Sequence, residues 1–429
     1  MNGELLFLDG QTGSAANMDK LRRARAHLRK GENRKAQTLA LEVLESAPLD
    51  ADALSVFAVS TYNLRDVPMA TAVFEEALLL DPANTGAHYY YGFLLERLGK
   101  RQEAAEHFQK CVELQPDFPE AYIHLGDIAG ARRDVQGAHD AYEAALARLP
   151  ECDENCFQRG YLFSRLERHE EAMESFRRAI ALHIHEAASH SGVGCVLSSL
   201  GRDGEALEHF QRAAALEPGD PNFHYNSGLS SLRLKKYQDS VDCFVRALEL
   251  DTILWNPVMD NMPRLVSQAP PELVRYLLDK LEKICPLRSE PPFFRAMLMV
   301  REGADPETVL PCVEESLKRD PGMVQALHLK GNLLRDAGRY VDALGCFDAM
   351  LSQSKDASLA HYGRATVLAL LGRDDDALKA LEEVSHRDRN LLNQARDDAA
   401  FRNLLTNPVF CGLVQPRKIS IKAVTVSCK

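Results

Sequence analysis

Residues 85–118 read TGAHYYYGFLLERLGKRQEAAEHFQKCVELQPDF. Apolar residues recur here at three- and four-residue intervals on either side of Gly99, which describes two amphipathic helices and the turn between them. Gly99 can take the left-handed conformation that ends a helix, and Pro116 stops the second helix. Gly92 on the first helix and Ala104 on the second leave little between the backbones. Antiparallel helices with such residues at the crossing can approach to roughly 8 Å.

The stretch is one unit of a series. Ala36, Ala70, Ala104, Ala138, Ala172 and Ala206 are followed by Ser240, Val274, Val309, Ala343 and Ala377, at steps of 34 residues with one of 35. A second ladder runs through Ala24, Ala58, Gly92, Gly126, Gly160, Gly194, Gly228, Met262, Met297, Gly331 and Ala365, and a third of mostly prolines follows from Pro48 to Pro321. A period of this size means that each unit buries its apolar face only against its neighbours. The aromatic series Phe74, Phe108, Tyr142, Phe176, Phe210 and Phe244 keeps the same step and reads as core, not as a cofactor box.

Gly92, Leu95, Gly99, Ala104, Phe108 and Pro116, with Cys111 where Ala is usual, resemble the tetratricopeptide repeat, a helix–turn–helix unit. About eleven such units lie in frame from Asn17 to Asn390. The resemblance implies an all-α fold: an α-solenoid wound as a right-handed superhelix, whose concave groove is lined by the first helix of each unit and holds an extended peptide or a helix.

The composition, 45% hydrophobic and 26% charged, is that of a folded chain. A net charge of −11 argues against a general nucleic-acid binder. No apolar run approaches the roughly 20 residues of a membrane span, and Leu5–Leu8 lacks the basic flank of a signal peptide. The ten cysteines include no CxxC pair. They read as buried or semi-buried free thiols, which fits a reducing cytoplasm.

Residues 1–16 read as a flexible leader and 17–254 as seven regular units. The segment 255–289 carries Pro257, Pro263, Pro270 and Pro271. It reads as a degenerate unit with a shortened or kinked first helix and as the place of a bend, since proline inside a helix costs about 3 kcal/mol. Three further units fill 290–390, with Pro311 extending the irregularity. Leu391, Leu392, Ala395, Ala399, Phe401, Leu404 and Leu405 predict capping helices over 391–412, and 413–429 is a basic tail.

On each first helix, residues two or three places from the buried ones should face the groove. These are Arg22, Arg25 and Arg29; Tyr89, Tyr90 and Phe93; His124 and Asp127; Phe157, Gln158 and Tyr161; Ser191 and Cys195 with Ser198; and Tyr225 and Asn226 with Leu229. Aromatic area beside amide and hydroxyl groups suits a peptide. The competing reading is that some of these rings pack on the neighbouring first helix. The basic first helix, with Lys20, Arg22, Arg23, Arg25, Arg29 and Lys30, reads first as the solvated face of a terminal repeat. Its second reading is contact with an acidic partner.

Two groove patterns of the family are missing. No three consecutive units supply the Lys and Asn, Asn, then Lys and Arg set that clamps chaperone tails. The series Arg22, Val56, Tyr90, His124, Gln158, Gly192 and Asn226 is not the asparagine run of sugar-transferring relatives. Cys152 and Cys156 stand one unit from His183, His185 and His190, too far for one zinc site given ligand bonds of about 2.0 to 2.3 Å. No metal or other cofactor is therefore expected. No nucleophile elbow, phosphate-cradling glycine loop or HExxH is present. The sequence thus points to a non-catalytic scaffold or adaptor that binds a protein or peptide, with no membrane insertion. The alternative is an assembly or chaperone subunit that uses its convex face and ends.

Overall fold

A computed structural model of the chain describes residues 15–354 and 357–414. The leader, apart from Ala15 and Ala16, and the basic tail from 415 onward lie outside the described residues. The described residues form helices and turns with no strand. They separate into two compact units, Met1–Arg202 and Asp203–Lys429. The boundary falls inside an unbroken 34-residue step, where nothing in the sequence marks it.

In the first unit, hairpins are formed by α1 (Ala15–Arg29) with α2 (Asn33–Ser46), α3 (Ala51–Asn63) with α4 (Val67–Leu80) and α5 (Thr85–Arg97) with α6 (Arg101–Leu114). They continue through α7 (Pro119–Ala131) with α8 (Val135–Arg148) and α9 (Cys156–Arg165) with α10 (His169–Ala181), and the unit ends on α11 (Glu186–Ser199). Several starts are capped by the preceding acidic or amide residue. The Asp50 carboxylate accepts from the Ala53 amide at 2.9 Å, and Asn84 accepts from Ala87 at 2.8 Å.

Ala36, Ala70, Ala104 and Ala172 are fully buried. The glycine ladder has a more specific cause than close backbone approach. A Cβ on Gly92 would stand 3.1 Å from the ring of Phe108, and on Gly126 and Gly160 it would stand 2.5 and 2.8 Å from Tyr142 and Phe176. Each glycine makes room for the aromatic ring sixteen residues later on its own hairpin. The turns form a further ladder: Gly31, Arg65, Gly99, Arg133, Glu167 and Gly201 all have φ between 58° and 79°. Glycine is therefore used at only half of the positions that need the left-handed conformation.

The second unit opens with α12 (Asp203–Leu216), then α13 (Pro221–Arg233) paired with α14 (Tyr237–Leu250). The next first helix is split into α15 (Trp255–Met259) and α16 (Met262–Gln268), followed by α17 (Pro271–Ile284). Pro263 lies in the first turn of α16, where its missing N–H costs little. It is not in a helix interior. Trp255 is fully buried, and its indole N–H donates to the Glu290 carboxylate at 3.0 Å. Met262, Leu265, Val274, Leu277 and Leu281 are fully buried around the break.

The hairpins α18 (Glu290–Arg301) with α19 (Pro306–Arg319), α20 (Val324–Asp336) with α21 (Tyr340–Gln353), and α22 (Ser358–Leu370) with α23 (Asp374–Arg387) restore the pattern. Helix α19 runs unbroken through Pro311. One rung of the small-residue ladder is corrected here. Ala296 is fully buried, whereas Met297 is half-buried. The left-handed turn residue Gly303 stands six residues before Val309, while Gly338 and Gly372 stand five before Ala343 and Ala377. The extra residue of the 35-residue step thus sits in the α18–α19 turn, and Ala296 occupies the place that the sequence ladder gives to Met297.

The last face is covered by α24 (Arg389–Gln394), a 3-10 turn at Ala399–Leu404 and α25 (Pro408–Val414). Leu391, Leu392, Ala395, Phe401, Leu404 and Phe410 are buried, while Ala399 and Leu405 are exposed.

Candidate binding face of the first helices

On α1, Arg25 does not face a ligand. It is buried, 3.4 Å from the Asp52 carboxylate, and Asp52 also accepts from the Asn84 amide at 2.9 Å. This chain of contacts ties three hairpins together. Arg22 and Arg29 are exposed, and Arg22 pairs with Asp19 at 2.7 Å.

On α5 the three aromatic candidates divide. Tyr90 is only 4% exposed and lies in the hydrophobic core, so the packing alternative describes it. Tyr89 and Phe93 are half-buried. Both rings meet His124 of α7 edge-on, at 5.7 and 5.9 Å between centroids. The imidazole of His124 stacks on Phe108 at 4.5 Å, and its Nδ1 stands 2.9 Å from the Glu96 carboxylate. Burial raises the Tyr89 phenol above its ordinary pKa.

Asp127 is the centre of a second cluster. The Tyr161 hydroxyl lies 2.7 and 2.9 Å from its two oxygens, and the Tyr142 hydroxyl donates to it at 2.7 Å. Arg165 donates through Nε to the Tyr142 oxygen at 2.9 Å and stands 3.6 Å from Asp127. Burial first, and then the Asp127 charge, pushes the Tyr161 phenol above its usual range. The cluster joins α7, α8 and α9 with every phenol oriented. Tyr142 and Arg165 are not among the sequence candidates. Tyr142 is the one tyrosine in a phenylalanine series, and a buried hydroxyl requires a partner.

Phe157 and Gln158 are half-buried, with Phe157 5.0 Å from the His185 ring. Ser191 is half-buried and Cys195 exposed, which corrects the expectation that the thiols are all covered. In the second unit Tyr225 and Asn226 are half-buried. The Tyr225 hydroxyl stands 3.5 Å from the Pro257 carbonyl, the outer limit of a hydrogen bond.

The second unit holds a concavity that the sequence does not reveal. Phe293 and Met297 of α18, Val324, Gln325, His328 and Leu329 of α20, Met350 of α21 and Leu359 of α22 enclose about 260 Å³. No carboxylate lines it, and burial lowers the pKa of His328. Such a space can desolvate an apolar side chain. The sequence ladder puts Met297 in the hairpin interior, so the one-residue slip hides this face.

Among the described residues no set of three or more His, Cys, Asp or Glu side chains is gathered for a metal ion. No described helix is long and apolar enough to cross a membrane.

Comparison with known proteins agrees on the kind of repeat. A Pseudomonas aeruginosa TPR repeat-containing protein, PA0015, is 41% identical over 49 residues, covering 11% of this chain and 47% of that protein. The probable biofilm formation methyltransferase WspC of Pseudomonas putida is 34% identical over 64 residues, 15% of each chain. The chain thus spans less than half the length of the curated relatives it matches. Among solved structures, yeast Tom70 aligns over 93% of this chain and 99% of its own, at 16% identity and a TM-score of 0.39. The tetratricopeptide-repeat pattern matches residues 86–118, 123–187, 194–252 and 310–390, more than half of the sequence, and the chain belongs to the tetratricopeptide-repeat family.

Proposed function

We propose that the chain is a non-catalytic scaffold or adaptor that holds a peptide or a helix of a protein partner against its first helices. The observation that carries this reading is the fixed orientation of the half-buried polar and aromatic side chains on α5, α7 and α9. Tyr89, Phe93 and His124 hold one another, and Tyr161 and Asp127 are locked together. Side chains ordered before binding lose little entropy when a ligand arrives, and aromatic area beside fixed acceptors suits a peptide backbone. Phe157, Gln158, Ser191 and Cys195 extend the face in the first unit, and Tyr225 and Asn226 present the same kind of surface in the second. The described cysteines are all free, which supports a reducing compartment such as the cytoplasm.

Because Tyr90 belongs to the core, the face is tested at Phe93 and Phe157. The double variant Phe93→Ala with Phe157→Ala should capture several-fold less polypeptide partner on an affinity matrix while its helical circular dichroism stays unchanged. Undiminished capture by a folded double variant would remove the first-helix face from the mechanism.

A further inference from the structure

Helix α1 carries a charge pattern that the first-helix face does not use. Residues 15–35 hold eight basic and two acidic side chains, net +6, so the remainder of the chain carries −17. Arg22, Arg23 and Arg29 stand on one side of α1 and are all exposed, as are Lys30 in the turn that follows and Arg34 just beyond it. Lys20 and Lys35 are neutralised by Glu42 and Glu32, and Arg22 by Asp19. Among the described residues Arg23, Arg29, Lys30 and Arg34 make no ion pair.

The Arg22 and Arg23 end of the stripe occupies the stacking face of the repeat. One and two steps along, Arg23 is replaced by Phe57 and Tyr91, and Ala26 by Ser60 and Leu94; Tyr91, Ser60 and Leu94 are buried. Solvation alone would be met by mixed charge, without self-repulsion. A stripe of one sign on an acidic chain is directional. We infer that it docks an acidic polypeptide segment, a run of Asp and Glu side chains in a partner, at a surface separate from the first-helix face. At physiological salt, charges act over about 8 Å, so a short acidic segment meets only the stripe. Duplex nucleic acid or an anionic membrane is broader and would also face the acidic remainder of the chain. The stripe also lacks the apolar or aromatic side chains that an interfacial helix buries.

The test uses the full chain and a fluorescein-labelled oligoglutamate peptide, read by anisotropy at low and physiological salt. The peptide should bind, weaken steeply with added salt, and lose about tenfold in affinity in Arg23→Glu with Lys30→Glu. The neutral pair Arg23→Gln with Lys30→Gln should fall between, which keeps the test valid if charge reversal disturbs folding. Phe93→Ala with Phe157→Ala should bind the peptide as well as the parent chain does, so failure of the stripe and failure of the first-helix face are distinguishable. Absence of peptide binding, binding indifferent to both pairs, or tighter binding to duplex DNA or to phosphatidylserine vesicles would overturn the inference.

Discussion

The hydroxyl of Tyr161 reaches back 34 residues to both oxygens of Asp127, at 2.7 and 2.9 Å, joining two successive first helices through one repeat step. Asp127 also receives the Tyr142 hydroxyl at 2.7 Å. Removing the acceptor therefore strands more than one donor. Tyr161→Phe should cost about 1 kcal/mol, the net value of one hydrogen bond. Asp127→Ala should cost about 2 to 3 kcal/mol, because the buried Tyr142 hydroxyl loses its acceptor. Urea unfolding of the two single variants and the double variant gives the coupling, expected near 1 kcal/mol. Additive losses would show that the contacts do not act as a unit.

The fold is legible because the same small and aromatic residues return at every step, and a period cannot satisfy helical burial by accident eleven times. The binding face is only partly legible. The rule that picks residues two or three places from the buried ones also picks a flank that turns into the core, which is where Tyr90 lies. It cannot see a partner such as Asp52, which takes Arg25 out of the face. The left-handed turn is readable at Gly99 but invisible at Arg65, Arg133, Glu167 and Lys235, where the backbone imposes a conformation that the side chain disfavours.

That turn gives a paired prediction. Gly99 has φ of 79°, and a Cβ added there would meet nothing within 4 Å, so Gly99→Ala should cost about 1 kcal/mol from backbone conformation alone. Lys235, at φ 62°, is the reverse case. Lys235→Gly should gain about 0.5 kcal/mol, the conformational relief less the added entropy of the unfolded chain. Thermal melts that move in the same direction for both would contradict the ladder of turns.

His88 and His107 face each other through Nδ1 atoms 2.8 Å apart, and His88 Nε2 stands 3.1 Å from the Pro82 carbonyl. The carbonyl requires the proton on His88 Nε2, so with both rings neutral it is His107 Nδ1 that donates to His88 Nδ1. Burial, then the neighbouring His88, lowers His107 to about 4, and burial lowers His88 as well. The folded state therefore binds protons less readily than the unfolded chain. The contribution of the pair is complete above the unfolded value near 6.5 and is lost as the pH falls from there toward 4. Urea midpoints should fall across that window in the parent chain and less in His107→Gln; equal pH slopes would rule the pair out as the cause.

The corrected rung in α18 separates two adjacent residues that look alike in sequence. Ala296 is fully buried, where every other unit but that of Met262 places a glycine or alanine, whereas Met297 is half-buried and lines the 260 Å³ concavity. Enlarging the first must push neighbouring side chains off their rotamers in a filled interior, at a typical cost of about 1 to 3 kcal/mol. Changing the second meets open space. Ala296→Met should therefore lower the urea midpoint clearly, while Met297→Ala should cost well under the roughly 2 kcal/mol expected for a buried methionine. A large loss in Met297→Ala with a silent Ala296→Met would return the slip to the position read from the sequence ladder, ahead of α18 and not in its turn.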